Sequence, residues 1–171
     1  AQLPITYHDM SDAFHYNYFR LTHANENGCM AMVWSDTYKA YQYHVNEDPD
    51  YATFANAPEV YMAFSADNGN HWSDPVIMNA VPSDNDPANG HYNSAFEGMI
   101  PTWFYVAPKV ETMDENWGRI HIMFTNADSY NNLIGKGNIM YTSIKVDFGP
   151  LTVNNPVAIA KPVILNQNYP N

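Results

Sequence analysis

Cysteine is almost missing from this 171-residue chain: Cys29 stands alone, which excludes an internal disulfide and a thiolate zinc cluster. Set in the apolar run Cys29 to Trp34, it reads as a small buried hydrophobe. Basic residues are nearly as scarce. Seven Lys and Arg face eighteen Asp and Glu, a formal net charge of −11 that repels nucleic-acid phosphates and anionic lipid surfaces, so neither is expected as a partner. No run of about 18 apolar residues is present, so no membrane-inserted helix is expected. Ala1 to Pro4 lacks the basic and apolar regions of a signal peptide and reads as a mature or excised N-terminus. His-Glu-x-x-His, Gly-x-Ser-x-Gly and a phosphate-cradling glycine loop are absent too, leaving Gly135-Lys-Gly137 as a hairpin turn.

What is abundant is aromatic. Thirteen Tyr, eight Phe and four Trp, with twelve Pro and eight Gly, favour strands and turns over helices, and the length suits one all-β domain. Glu59 to Ser65 alternates Val60, Met62 and Phe64 with Glu59, Tyr61 and Ala63, the period of two that a strand requires. A turn follows over Ser65 to Trp72, and Val76-Ile-Met78 resumes the strand. In that turn Gly69 supplies positive φ, the Asp67 carboxylate accepts hydrogen bonds from turn amides, and Trp72 folds its indole over the hairpin.

The rest of the chain reads as the same unit twice. Phe14 to Thr22 and Cys29 to Ser35 form a hairpin around the Asn25 to Gly28 turn, and Ile5 to Asp12 is an entry arm or a neighbouring strand. Polar connectors run from Asp36 to Pro58, Tyr-rich and longer than an ordinary hairpin loop, and from Ala80 to Gly98, the second expected to hold no regular structure. Strands return at Ile100 to Ala107, Arg119 to Thr125, Asn138 to Val146 and Val153 to Ile159. Gly28 to Ser35 overlays Gly118 to Thr125 at a spacing of 90 residues, a repeat of four-stranded units.

The word Ser65-x-Asp67-x-Gly69-x-x-Trp72 resembles the Asp-box, or BNR repeat, of sialidase-like β-propellers, in which it joins the third and fourth strands of a blade. The resemblance implies about two blades, near 14–79 and 99–160, inside a propeller segment 1–161. In the second copy the box has decayed, with Lys145 where the first has Asp67 and no Trp following. A ring closes with about four to eight blades, so other polypeptide must complete it: blades from the same precursor first, copies of this chain second. Pro162 to Asn171 resembles the start of the linker that precedes the C-terminal sorting domain of type IX secretion, through Leu165-x-Gln167-Asn-Tyr169-Pro-Asn171. Both resemblances imply a secreted or cell-surface protein.

Sialidases of that superfamily hold the substrate carboxylate with three arginines and use a Tyr/Glu pair and an Asp. Here only Arg20 and Arg119 occur and Arg-Ile-Pro is absent, so catalysis by this chain alone is not expected, although Tyr141 or Glu97 could be lent to a larger ring. Glu97, Glu111, Asp114 and Glu115 read as solvated loop acids, and the seven histidines as scattered. Asp48 with Asp50 and Asp84 with Asp86 are the candidate calcium ligands, hard oxygen donors clustered in loops. Tyr38, Tyr41 and Tyr43 in the first connector, with Trp103 and Tyr105 in the second unit, are the candidate binding residues for a glycan or a surface protein. The function expected is a non-catalytic binding or assembly module. A fragment of a propeller glycoside hydrolase and a subunit of an extracellular polymer are the alternatives.

Overall fold

The computed structural model describes residues 18–54, 58–80, 82–92, 96, 99, 101–127, 137–149 and 158–161. The chain builds two antiparallel sheets in succession. β1 (Arg20–Leu21), β2 (Met30–Asp36), β3 (Glu59–Ser65) and β4 (Val76–Ile77) lie side by side in chain order. The second sheet orders β5 (Pro101–Val106), β7 (Trp117–Ala127), β8 (Gly137–Asp147) and β9 (Ala158–Lys161), with β6 (Glu111–Thr112) also pairing with β7. Each is an antiparallel meander, in which neighbours in the sheet follow one another along the chain.

Alternation decides which side of each strand faces in. Val33 stands opposite Met62 and Ala31 opposite Phe64, all inaccessible to solvent; on the second sheet Ile120 stands opposite Ile144 with the same result. These rows meet in one core that runs through both sheets, joined by Tyr18, Cys29, Phe96, Phe104, Val110, Phe124, Val146 and Phe148. Phe64 of the first sheet meets Phe148, just beyond β8, edge to face at a centroid separation of 6.1 Å. The lone thiol of Cys29 is buried in this core, as its apolar run predicts.

One corner of the two sheets is stitched by polar groups. His23 and Lys109 form an isolated parallel bridge, and the buried Asn25 side chain spans the same gap. Its Oδ1 accepts from the amides of Cys29 (2.8 Å) and Asn27 (3.0 Å), while Nδ2 donates to Thr112 Oγ1 (3.0 Å) and the Val110 carbonyl (3.4 Å).

The structure changes several of the expectations. The connector after β2 contains a helix, α1 (Tyr38–His44), followed by a 3-10 turn at Pro49–Phe54. Asp36 Oδ1 accepts the Tyr38 amide at 2.9 Å, Ala40 is buried, and Lys39 reaches Glu59, so tertiary contacts hold a helix that composition disfavours. The second connector holds two short 3-10 turns, Pro82–Asp84 and Pro87–Asn89, each started by proline. The 90-residue overlay puts Ala31 on His121 and Val33 on Met123, buried against outward-facing positions; a spacing of 89 restores the phase by matching Ala31 to Ile120 and Val33 to Ile122. A slip of one residue turns every side chain to the other face, and because Met30, Met32 and Trp34 are as apolar as the buried Ala31 and Val33, hydropathy does not distinguish the two phases. The fourth strand of the second unit is observed at Ala158–Lys161, with 150–157 outside the described residues. Ile5 to Asp12, Glu97 and the stretch Leu165 to Asn171 also lie outside them. No described helix is long and apolar enough to cross a membrane.

Candidate functional site

The outward face of the second sheet departs furthest from what an antiparallel sheet with one face on a core should show. Such a face is normally polar. Here Tyr105 is 61% exposed, Met123 47%, Trp103 46% and Ile139 43%. Tyr105 of β5 stands directly opposite Met123 of β7, and Met123 opposite Tyr141 of β8, so one apolar and aromatic row crosses three strands. A β-bulge in β5 shapes its edge: two residues, Trp103 and Phe104, separate Thr102 from Tyr105 where one, Phe124, separates their partners Thr125 and Met123. Within the bulge Trp103 takes φ of +51°, a conformation that strains a bulky residue by about 1–3 kcal/mol. Its ring is held beside Tyr18 at 5.3 Å, and the Arg20 guanidinium lies 5.9 Å from the Tyr105 centroid.

Beside this row runs a chain of hydrogen bonds. Glu111 Oε2 lies 2.8 Å from His121 Nε2 and 3.5 Å from Arg119, and His121 Nδ1 meets the Tyr141 hydroxyl at 2.5 Å. The imidazole therefore stands between a carboxylate and a phenol, one ring nitrogen facing each. On the next row Lys145 sits 4.1 Å over the Trp117 ring. Each of these polar groups already has a partner within the sheet. In the sequence Glu111 reads as a loop acid and His121 as one of several scattered histidines; the pairing of β6, β7 and β8 that joins them to Tyr141 is a long-range fact with no local signal.

The other predicted binding residues are elsewhere. Tyr38, Tyr41 and Tyr43 occupy α1, where helical spacing fans them around the axis; Tyr38 is exposed, the other two half-buried, and Tyr43 packs edge-on against His44. Trp103 and Tyr105 stand instead on β5. Beneath α1 lies a feature with no sequence warning. Asp36 and Glu59 stand opposite one another at the end of β2 and β3, both buried, beside the stacked rings of Trp34 and Tyr61 (5.6 Å, 13°). Burial pushes the Glu59 carboxyl above its ordinary range despite the Lys39 ammonium 2.9 Å away, and burial likewise raises the Tyr61 phenol.

The four residues of the turn after β3 meet as their spacing predicts. Ser65 Oγ donates to Asp67 Oδ1 (2.8 Å) and accepts the Gly69 amide (2.9 Å); the Trp72 indole donates to the Gly69 carbonyl (3.0 Å); and Gly69 takes φ of +84°. A Cβ on Gly69 would lie 3.3 Å from Met30 Sδ and 3.6 Å from the Trp72 ring, so Trp72 and Met30 close over the turn. The His71 amide, then the His71 ring, hold the Asp67 carboxyl down at about 2. A depressed carboxyl contributes stability that is complete above the unfolded value near 4 and is lost as pH falls toward 2. Asp67→Asn is expected to flatten that part of the profile, measured as the melting temperature between pH 5 and 2.

The candidate calcium ligands serve local turns. Asp48 Oδ1 accepts the Asp50 amide (3.1 Å), Asp86 Oδ2 accepts the Asn89 side chain (2.6 Å), and Asp84 lies 3.3 Å from the His91 ring. Among the described residues no three His, Cys, Asp or Glu side chains gather as a metal ion needs. No family model, curated protein or solved structure matches the chain.

Proposed function

We propose that this chain contributes two blades to a sialidase-like β-propeller and acts as a secreted or cell-surface, non-catalytic module for binding and extracellular assembly. The observation that carries the reading is the apolar row Tyr105, Met123 and Tyr141 on the outward face of a sheet whose other face is already buried. Sheets that are apolar on both faces belong between other layers, and blades of a ring are such sheets. The shared meander order of both sheets and the closed Ser65 to Trp72 turn support the same reading. The motif at Leu165 to Asn171 supports export. Native mass spectrometry of the particle as secreted tests it: the chain is expected to travel with further polypeptide, whether more of its own precursor or more copies. A lone chain in that particle would sink the reading.

A second reading follows from Asp36 and Glu59. Two buried carboxylates on neighbouring strands, one held toward its protonated form, next to a pair of stacked rings, are the ingredients of glycoside hydrolysis. Release of dye from fluorogenic glycosides by the intact particle, abolished in Glu59→Gln, would favour this reading over simple binding.

A further inference from the structure

Lys39 and Glu59 meet between α1 and β3, with Nζ 2.9 Å from Oε1 and the two side chains only 25% and 7% exposed. The contact is not an ordinary ion pair. Oε1 is buried and, with the ammonium against it, still has no aligned hydrogen bond. Asp36, also buried, stands directly opposite Glu59, so two carboxylates and the Lys39 ammonium lie together beneath α1. One row along the same face the stacked rings of Trp34 and Tyr61 wall them in, and the Trp34 indole N–H is itself buried without a partner. Burial already presses Glu59 toward its neutral form.

We propose that Lys39 and Glu59 join as an intramolecular amide, a covalent staple between α1 and β3 that the folded chain forms by itself. The nitrogen lone pair, freed when Asp36 takes an ammonium proton, attacks the Glu59 carboxyl carbon, and a carbon–oxygen bond of that carboxyl breaks. The departing oxygen leaves as water with two of the three ammonium protons. Nothing is oxidised or reduced, and no co-reactant is needed. Asp36 is placed to carry the proton: its Oδ1 accepts the Tyr38 amide, which fixes the carboxylate beneath the helix and leaves its other oxygen for the transfer. Folding holds the reacting groups in contact, where intramolecular reactions reach effective concentrations of about 10⁵ M or more. The amide also removes two charges that are unfavourable to bury, and enclosure keeps out the water that would reverse the step. The staple has something to hold: α1 is seven residues long with no side-chain bond at its N-cap, and a chain with one cysteine has no internal disulfide.

Intact-mass spectrometry of the purified, folded chain is expected to find it lighter than its sequence by one water. Peptide mapping should then find the segments around Lys39 and Glu59 joined, with no tryptic cut after Lys39. Lys39→Arg keeps a positive charge against Glu59 without the amine and is expected at full mass. Asp36→Asn, which can still accept the Tyr38 amide, is expected to form the crosslink on the order of a hundredfold more slowly. Circular dichroism checks that both variants fold; should either fail, the joined peptides of the wild type decide alone. A folded wild type at full mass overturns the proposal, and so does a water deficit that survives in Lys39→Arg, which would place the loss elsewhere in the chain. Crosslinking of Asp36→Asn at the wild-type rate overturns the part given to Asp36. The amide consumes the carboxyl that glycoside hydrolysis would need, so dye release by a chain of full mass rejects the staple in favour of that second reading. The assembly reading stands or falls separately, because the staple lies within one copy.

Discussion

Phe64→Ala is expected to destabilise the protein by about 3–5 kcal/mol, the range found when a fully enclosed aromatic ring is emptied to a methyl group. Phe64 is inaccessible to solvent and occupies the place where the first sheet meets Phe148 of the second. Removing its ring withdraws contacts from both sheets at once, and the strand pairing of β3 with β2 along its whole length leaves little freedom for the backbone to close the gap. Against a total stability of about 5–15 kcal/mol for a folded domain, such a loss is large. For a chain of this size it corresponds to a fall of roughly 6–20 °C in melting temperature. Urea unfolding followed by tryptophan fluorescence checks both size and mechanism, because Trp34 and Trp72 report on the first sheet and Trp103 and Trp117 on the second. A single transition with a shifted midpoint is expected. Loss of the first pair's signal alone would show that the two sheets do not share one core.

Asn25→Ala should follow closely, with a cost on the order of 2–4 kcal/mol, through a different mechanism. No large volume is lost. Instead the buried Cys29 amide loses its acceptor and the Val110 carbonyl loses a donor on the far side of the sheet boundary, each such stranded group costing about 1–3 kcal/mol. Asn25→Asp separates the two halves of this role, since its carboxylate still accepts from Cys29 but has no N–H for Val110 or Thr112. Denaturant titration of the three proteins should therefore rank them wild type, Asp, Ala. Equal stability of the Asp variant and the wild type would mean that the tie across the corner contributes nothing.

Local signals in the sequence were enough for the strands and for one turn. The alternation of Val60, Met62 and Phe64, and the order Ser65, Asp67, Gly69, Trp72, each specify backbone geometry within a few residues, and both are observed. What was not legible depends on contacts between distant segments. α1 forms because Asp36 receives its first turn and Glu59, twenty residues beyond Lys39, receives an ammonium; the helix has no propensity of its own to announce it. The burial of Glu59 is similarly a matter of what lies over the strand, since at the sequence level it is the polar member of an alternating pair. Glu111, His121 and Tyr141 lie on three separate stretches of the sequence, and only the register of β6, β7 and β8 makes them neighbours. Trp103 and Tyr105 stand on a single exposed face, whereas the tyrosines at 38, 41 and 43 are turned around a helix axis that the expected open loop did not contain.

The supernumerary residue in β5 has a consequence for how this chain tolerates change. Because Trp103 and Phe104 together stand opposite Phe124 alone, loss of Trp103 would leave Thr102 opposite Thr125, bring Phe104 opposite Phe124 and keep Tyr105 opposite Met123, closing the bulge without turning the strand over. The extra length is therefore separable from the pairing: over generations, this edge should tolerate loss of its additional residue as well as exchange of the side chain there.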